Sequence, residues 1–178
     1  YTLPEAQQDR FMFKVFVDYP TYDEEFRIAE STTSDRSVEL NPVLSGDEIL
    51  RLQKLVRRVP VSPYVIHYAL RLVRATRVQD QGAMEFVRDS VAWGAGPRGA
   101  QYLLLGAKAK AMLEGRFFVT IDDIRSVARP VLRDRVITNF NAESRGINSD
   151  KVIDRLVAEL PERSSGDEIA PALAAALA

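Results

Sequence analysis

The sequence predicts a mainly α-helical protein: a bundle of four to six helices, preceded by a short helix and a single strand. Three observations predict it. Apolar residues recur at spacings of three and four over most of the chain, the period of a half-buried helix. Helix-start patterns stand before those stripes at Thr21-x-x-Glu24, Ser62-Pro63 and Thr120-x-x-Asp123. One run, residues 11–17 (FMFKVFV), has instead the short, aromatic and β-branched character of a buried strand.

The elements follow in order. Residues 4–10 (PEAQQDR) read as a short helix with Pro4 in its first turn. The strand over 11–17 ends at Asp18-Tyr19-Pro20, and one strand needs partners from elsewhere to form a sheet. A helix carrying Phe26, Ile28 and Ala29 starts at Thr21. Residues 31–46 are polar, contain Pro and Gly, and read as a loop. Residues 47–59 place Ile49, Leu52, Val56 and Val59 on one stripe. After Ser62-Pro63, the expected buried face is Val65, Ala69, Leu70 and Val73. Residues 77–95 are irregular and hold the single tryptophan.

Gly96-Pro97 opens a long helix to about Gly115, with Ala100, Leu103, Leu104, Ala107 and Ala111 inward and Gly115 as its stop. The Thr120 helix carries Ile124, Val127, Ala128 and Val131, and Pro130 should bend or end it. Ser149 starts a last helix with Ile153, Leu156, Val157 and Leu160. From Pro161 the chain turns polar and then Ala-rich, a tail expected to be loose helix or disorder. A boundary near Pro20 divides the chain into 1–20, 21–160 and 161–178.

Composition excludes several classes. Lys and Arg total 24 against 25 Asp and Glu, a net charge of -1 that offers no general attraction to nucleic acid or an anionic membrane. There is no cysteine, hence no disulfide framework, which is compatible with the cytosol. No apolar run approaches the ~18 residues of a membrane span, and no signal peptide is visible. The chain opens on Tyr1-Thr2-Leu3 without an initiator Met, and reads as a piece of something longer.

Two arginines carry the chemistry. Arg10 follows LPEAQQD and immediately precedes the expected strand; Arg98 follows Gly-Ala-Gly-Pro in the first turn of a helix. A guanidinium at a helix start joins N–H groups that already point outward, and together these make an anion site. A guanidinium fork pairs with two oxygens of a phosphate. The other candidates read as structural. His67 is the single histidine and lies mid-helix, and one histidine cannot build a metal site. Asp122 and Asp123 are adjacent, so they diverge on a helix and suit its dipole rather than a carboxylate pair. Lys108 and Lys110 belong to a solvated face, and Trp93 is placed to pack under the loop leading to Arg98.

The blocks LPEAQQDRFMFKVFVDYP, GAGPRGAQYLLLGAKAKAMLEGR and FVTIDDIRSVARPVLRDRVITNF resemble those of MoxR-type AAA+ ATPases, over most of residues 1–160. The resemblance implies that 1–20 is the end of the α/β core and 21–160 the helical lid. It implies that Arg10 is the arginine finger reaching a neighbouring subunit's γ-phosphate, and that Arg98, beside Pro97, is sensor 2, both serving catalysis. Gln8 and Gly96 depart from the usual blocks, where an apolar residue and Ser are common. It further implies ATP and Mg²⁺ in the full-length protein, a ring that is commonly hexameric, chaperone-like remodelling, a von Willebrand A-domain partner and a cytoplasmic setting. This sequence contains no G-x-x-x-x-G-K-[ST], and Gly94-x-Gly96 is too short to cradle phosphate, so the stretch by itself is expected not to hydrolyse ATP. The alternative is a non-enzymatic helical module whose exposed faces dock a partner; a helical DNA-binding domain is weakened by the balanced charge.

Overall fold

In the computed structural model, which describes residues 3–35 and 39–163, helices carry most of the chain. The chain divides into two compact units, one built from Tyr1–Lys14 with Leu55–Ala178 and the other from Val15–Lys54. In the smaller unit, α2 (Tyr22–Thr33) starts as expected, with the Glu24 carboxylate accepting from the Thr21 N–H and hydroxyl, each at 2.8 Å. The start of α3 (Gly46–Arg58) repeats the device: Glu48 accepts from Ser45 N–H at 2.7 Å. Neither helix has a buried residue. The expected stripe of α3 is therefore only partly covered, with Ile49 and Leu52 exposed and Val59, just past its end, buried.

The larger unit contains α1 (Glu5–Gln8), α4 (Pro63–Ala75), α5 (Glu85–Ser90), β1 (Val91–Trp93), α6 (Pro97–Leu113), α7 (Ile121–Leu132), β2 (Ile137–Thr138), α8 (Phe140–Ser144) and α9 (Ser149–Glu159). Its centre is α6, which packs on α7 and α4, while α9 packs on α7 and also touches α4. Close approach is possible because the inner face of α6 is small: Gly99, Ala100, Gly106, Ala107 and Ala111 surround Leu103. A Cβ on Gly106 would sit 3.2 Å from the Phe13 ring, so an aromatic of the N-terminal segment rests on bare helix backbone there. Tyr68, Leu72, Leu103, Ile124, Leu132, Ile153 and Leu156 are fully buried and form the middle of the core.

Several expectations are corrected. Residues 11–17 form no strand. A lone run has no ladder to complete; Lys14 N–H instead donates to the Pro130 carbonyl at 2.8 Å. Among the described residues the strands are β1 and β2, paired antiparallel with Val91 opposite Thr138 and Trp93 opposite Ile137, inside and beyond the region read as irregular. In α4 the face is turned so that Tyr68 and Leu72 are buried while Leu70 is exposed. Leu104 is only half-buried. Pro130 does not end α7, which runs on to Leu132, because a proline in the last turn removes a single intrahelical bond. The expected tail lies outside the described residues beyond 163.

Two details fix the loop that leads into α6. Thr76 is fully buried; its hydroxyl donates to Val73 O at 2.6 Å and accepts from Ala95 N–H at 2.8 Å. Arg77 Nε donates to Ala95 O at 2.9 Å. A Cβ on Gly94 would meet Thr76 O at 2.3 Å, so only glycine lets the two backbones touch. Trp93, expected beneath this loop, is 66 % exposed; the Thr76 hydroxyl does that work instead.

At the start of α7, Asp123 is almost fully buried. Its carboxylate accepts from Thr120 N–H at 2.8 Å and from Arg116 Nη1 at 2.8 Å. Burial acts to raise its pKa, but the hydrogen bonds from Arg116 and Thr120 outweigh it and hold the carboxyl below its ordinary value. As expected of helix-start acids, Asp122 and Asp123 point apart; Asp122 pairs with Arg125.

Two predictions follow from this packing. Gly94→Ala forces backbone apart and is expected to cost about 1–3 kcal/mol in urea unfolding; an unchanged midpoint would contradict the contact. Because the Asp123 carboxyl is depressed in the fold, the unfolded chain binds more protons once pH falls below the ordinary carboxyl value of about 3.9. Its contribution is present above that value and lost as pH drops through the folded pKa. The wild type should therefore lose more thermal stability than Asp123→Asn on acidification from about pH 5 to pH 2; equal losses would show that Asp123 is not a source of acid sensitivity.

Candidate functional site

The site forms where the N-terminal segment crosses the ends of α6 and α7. Residues 8–11 make a turn after α1, closed by Phe11 N–H donating to Gln8 O at 3.0 Å. Arg135 sits just beyond α7, held in place by β2 pairing to β1. Its side chain is 3 % exposed, so its charge must be met inside the protein. Nε donates to Asp9 Oδ1 at 2.9 Å; Nη2 donates to the Asp9 carbonyl at 2.6 Å and the Phe11 carbonyl at 2.7 Å; Nη1 donates to the Val131 carbonyl. The Tyr102 ring covers the guanidinium, 5.0 Å from its centroid, and the Tyr102 hydroxyl donates to the Arg10 carbonyl at 2.9 Å. Three consecutive carbonyls, of Asp9, Arg10 and Phe11, are thus pinned by two side chains of the helical bundle.

Arg98 reaches the same place from the first turn of α6. Its Nη1 donates to Asp9 Oδ2 at 3.1 Å, with the side chain 52 % exposed. Asp9 therefore bridges a buried guanidinium and an exposed one through its two oxygens. The helix start beneath Arg98 has no side-chain cap, since its N-cap is Gly96, and exposed Pro97 occupies the next position. Uncapped N–H groups and a half-free guanidinium suit an anion. Arg10 projects from the exposed side of the turn, its guanidinium 5.3 Å from the Phe11 ring centroid. The Asp9 carboxylate is thus shared by Arg98 and Arg135, and the Arg10 backbone follows Asp9 in the same turn, while the Arg10 guanidinium lies against Phe11. A cavity of 310 Å³ lies beside it, lined by Ala6, Asp9, Trp93, Gly94, Asp134 and Arg135 among others.

The segment is also tied further along. Arg133 Nη1 donates to the Lys14 carbonyl at 3.0 Å while its other nitrogens fork onto Asp150, and Lys14 Nζ pairs with Asp134. Sequence reasoning missed Asp9, Tyr102 and Arg135. Arg135 stands in PVLRDRVIT beside Asp134 and Arg133, a charged cluster that reads as solvated, so little local signal marked it as buried. His67 is exposed on α4, and among the described residues no group of three or more His, Cys, Asp or Glu could hold a metal ion.

The chain is similar to several known proteins. The AAA lid domain family matches residues 83–156. "Chaperone MoxR1" of Mycobacterium tuberculosis is 34 % identical over 100 % of this chain and 48 % of its own length. "Protein MoxR" of Paracoccus denitrificans is 31 % identical over 82 % of this chain and 46 % of its own length. The chain thus spans about half the length of the curated relatives it matches. A solved structure described as "a putative ATPase", from Cytophaga hutchinsonii, superposes with a TM-score of 0.82 at 30 % identity, over 90 % of this chain and 49 % of that one.

The Arg135 clamp is directly testable. Arg135→Met keeps an apolar stem but removes the hydrogen bonds that Arg135 gives to Asp9 and Phe11. It should lower stability by about 1–3 kcal/mol and speed tryptic cleavage after Arg10; unchanged stability and cleavage would contradict the clamp.

Proposed function

From a chain that is the lid-bearing portion of a MoxR-type AAA+ protein, we propose that Arg10 and Arg98 together receive the terminal phosphate of ATP in the full-length enzyme. The observation that carries the proposal is the Arg98–Asp9 contact at 3.1 Å, which brings the lid arginine beside the residue next to Arg10. Arg10 acts as the arginine finger and Arg98 as sensor 2, with Pro97 opening the helix on which Arg98 rides. On this reading both act on the same nucleotide, the one held by the neighbouring subunit. The whole protein then works only as an assembly, a ring that is hexameric, and ATP turnover in it drives remodelling of a partner protein. A von Willebrand A-domain protein is the proposed companion and the cytoplasm the proposed setting. Among the described residues no helix is long and apolar enough to cross a membrane.

The chemistry needs what these residues supply. Phosphoryl transfer spreads negative charge over the γ-phosphate oxygens, and catalysis consists of positioning and electrostatic stabilisation. Arg10 and Arg98 provide that charge from a pinned turn and a helix start. In the full-length protein Mg²⁺ would help to neutralise the charge on those oxygens; none of the residues named here is proposed to hold it. The chain alone is accordingly proposed to be inactive.

A second reading, a helical docking module, rests on α2 and α3, which bury nothing while Phe26, Ile28, Ile49 and Leu50 are exposed. The two readings separate in one experiment. In the intact protein, Arg10→Ala should preserve ATP binding and lower turnover by about 10³-fold or more. Wild-type turnover in that variant, with partner capture independent of ATP, would favour the docking module.

A further inference from the structure

We propose that Asp9 is the positioning residue for Arg98, and that it works by an exchangeable contact: it holds the Arg98 guanidinium until a phosphate anion takes its place. The inference rests on the reading of Arg98 as a phosphate-contacting residue. It follows from the inequality of the two ion pairs that Asp9 makes. Toward Arg135 the carboxylate is locked. That guanidinium is 3 % exposed, covered by Tyr102, and also bonded to the carbonyls of Asp9, Phe11 and Val131. Withdrawing Asp9 from it would strand a buried charge. Toward Arg98 the same carboxylate makes one contact at 3.1 Å, with a side chain that is 52 % exposed. An exposed single contact of this kind is weak, whereas a phosphate offers a guanidinium two oxygens and a larger charge.

The geometry orders the exchange. Asp9 stays on Arg135 through Oδ1; Arg98 lets go of Oδ2 and turns onto the incoming phosphate. Among the described residues no second carboxylate pairs with Arg98 to compete with this one. Asp9 therefore does two things at once. It keeps Arg98 from wandering over the surface, and it sets a small threshold that an incoming phosphate must exceed. Asp9 also precedes Arg10 in the chain, and the Arg10 carbonyl is held by Tyr102, one turn along the helix from Arg98. Freeing Arg98 thus leaves the finger's turn anchored.

The test uses the intact protein and ATP. Asp9→Asn keeps an oxygen for Arg135 but removes the charge that holds Arg98, so KM for ATP should fall roughly two- to fivefold, with no increase in kcat. In the Arg98→Ala background the same substitution should leave KM unmoved. A KM shift that persists without Arg98, or no shift with Arg98 present, overturns the exchange. If Arg98→Ala alone alters neither KM nor kcat, the underlying phosphate reading fails instead. Should Asp9→Asn not fold, a structure of the wild type with the non-hydrolysable analogue AMP-PNP decides. Arg98 on the phosphate and off Asp9, with Arg135 still on Asp9, is expected. Arg98 on both at once overturns the exchange, and Arg98 on neither overturns the phosphate reading.

Discussion

A buried guanidinium governs this structure. Arg135 has almost no access to water, and every nitrogen it carries is met by an oxygen of the chain: one Asp9 carboxylate oxygen and three backbone carbonyls. A charge in such a place is tolerable only while its partners stay. Residues 9–11 are therefore not a loose lead-in to the bundle. They complete it, together with Phe13 lying on the bare backbone of α6 at Gly106. Local sequence supplies little reason for this segment to hold its form, since α1 is four residues long. Tertiary contacts supply the reason.

The same constraint shapes the candidate site. β1 and β2 join the approach to α6 with the exit from α7, so the residues before Arg98 and those around Arg135 are held by one small ladder. Thr76 and Gly94 fix the loop between β1 and α6 by backbone contact rather than by a large side chain. Arg98 then extends from a rigid helix start toward a carboxylate that is itself held still. On the proposed reading this is partial preorganisation: the helix start and the turn are fixed beside the place where phosphate charge will develop, and Arg98 has only to leave Asp9 to meet it. The exposed side of the arrangement carries the two arginines that can move, and the buried side carries the one that cannot.

Much of the helical plan was legible in the sequence. Thr21-x-x-Glu24 and Thr120-x-x-Asp123 act at their helix starts as those patterns imply, and Gly115, with φ of 72°, stops the chain after α6. The lid itself was legible through long blocks, and family comparison agrees with it. What was not legible depended on partners distant in sequence. The run 11–17 has strand composition but meets the Pro130 carbonyl and the Gly106 backbone, more than ninety residues away, instead of a ladder. Leu70 and Tyr68 exchanged places because stripes drawn at spacings of three and four leave the rotation of a helix uncertain by about one position, and because a tyrosine can be buried when its hydroxyl finds Arg125. Of the site, Arg10 and Arg98 were visible by context. Asp9 and Arg135 were not, since nothing local says that an exposed-looking aspartate and an arginine 126 residues apart form one ion pair.

If the two arginines converge on one phosphate, each nucleotide must be completed by both arginines of the adjacent subunit. Mixing two inactive variants of the intact protein tests this most directly. One carries Arg10→Ala with Arg98→Ala and can bind ATP; the other keeps both arginines but has its P-loop lysine removed. Mixed rings place intact arginines beside intact pockets, and turnover should return. If turnover returns when the first variant lacks Arg10 alone but not when it lacks Arg98 alone, Arg98 serves its own subunit's nucleotide, and convergence of the pair on a single phosphate is contradicted.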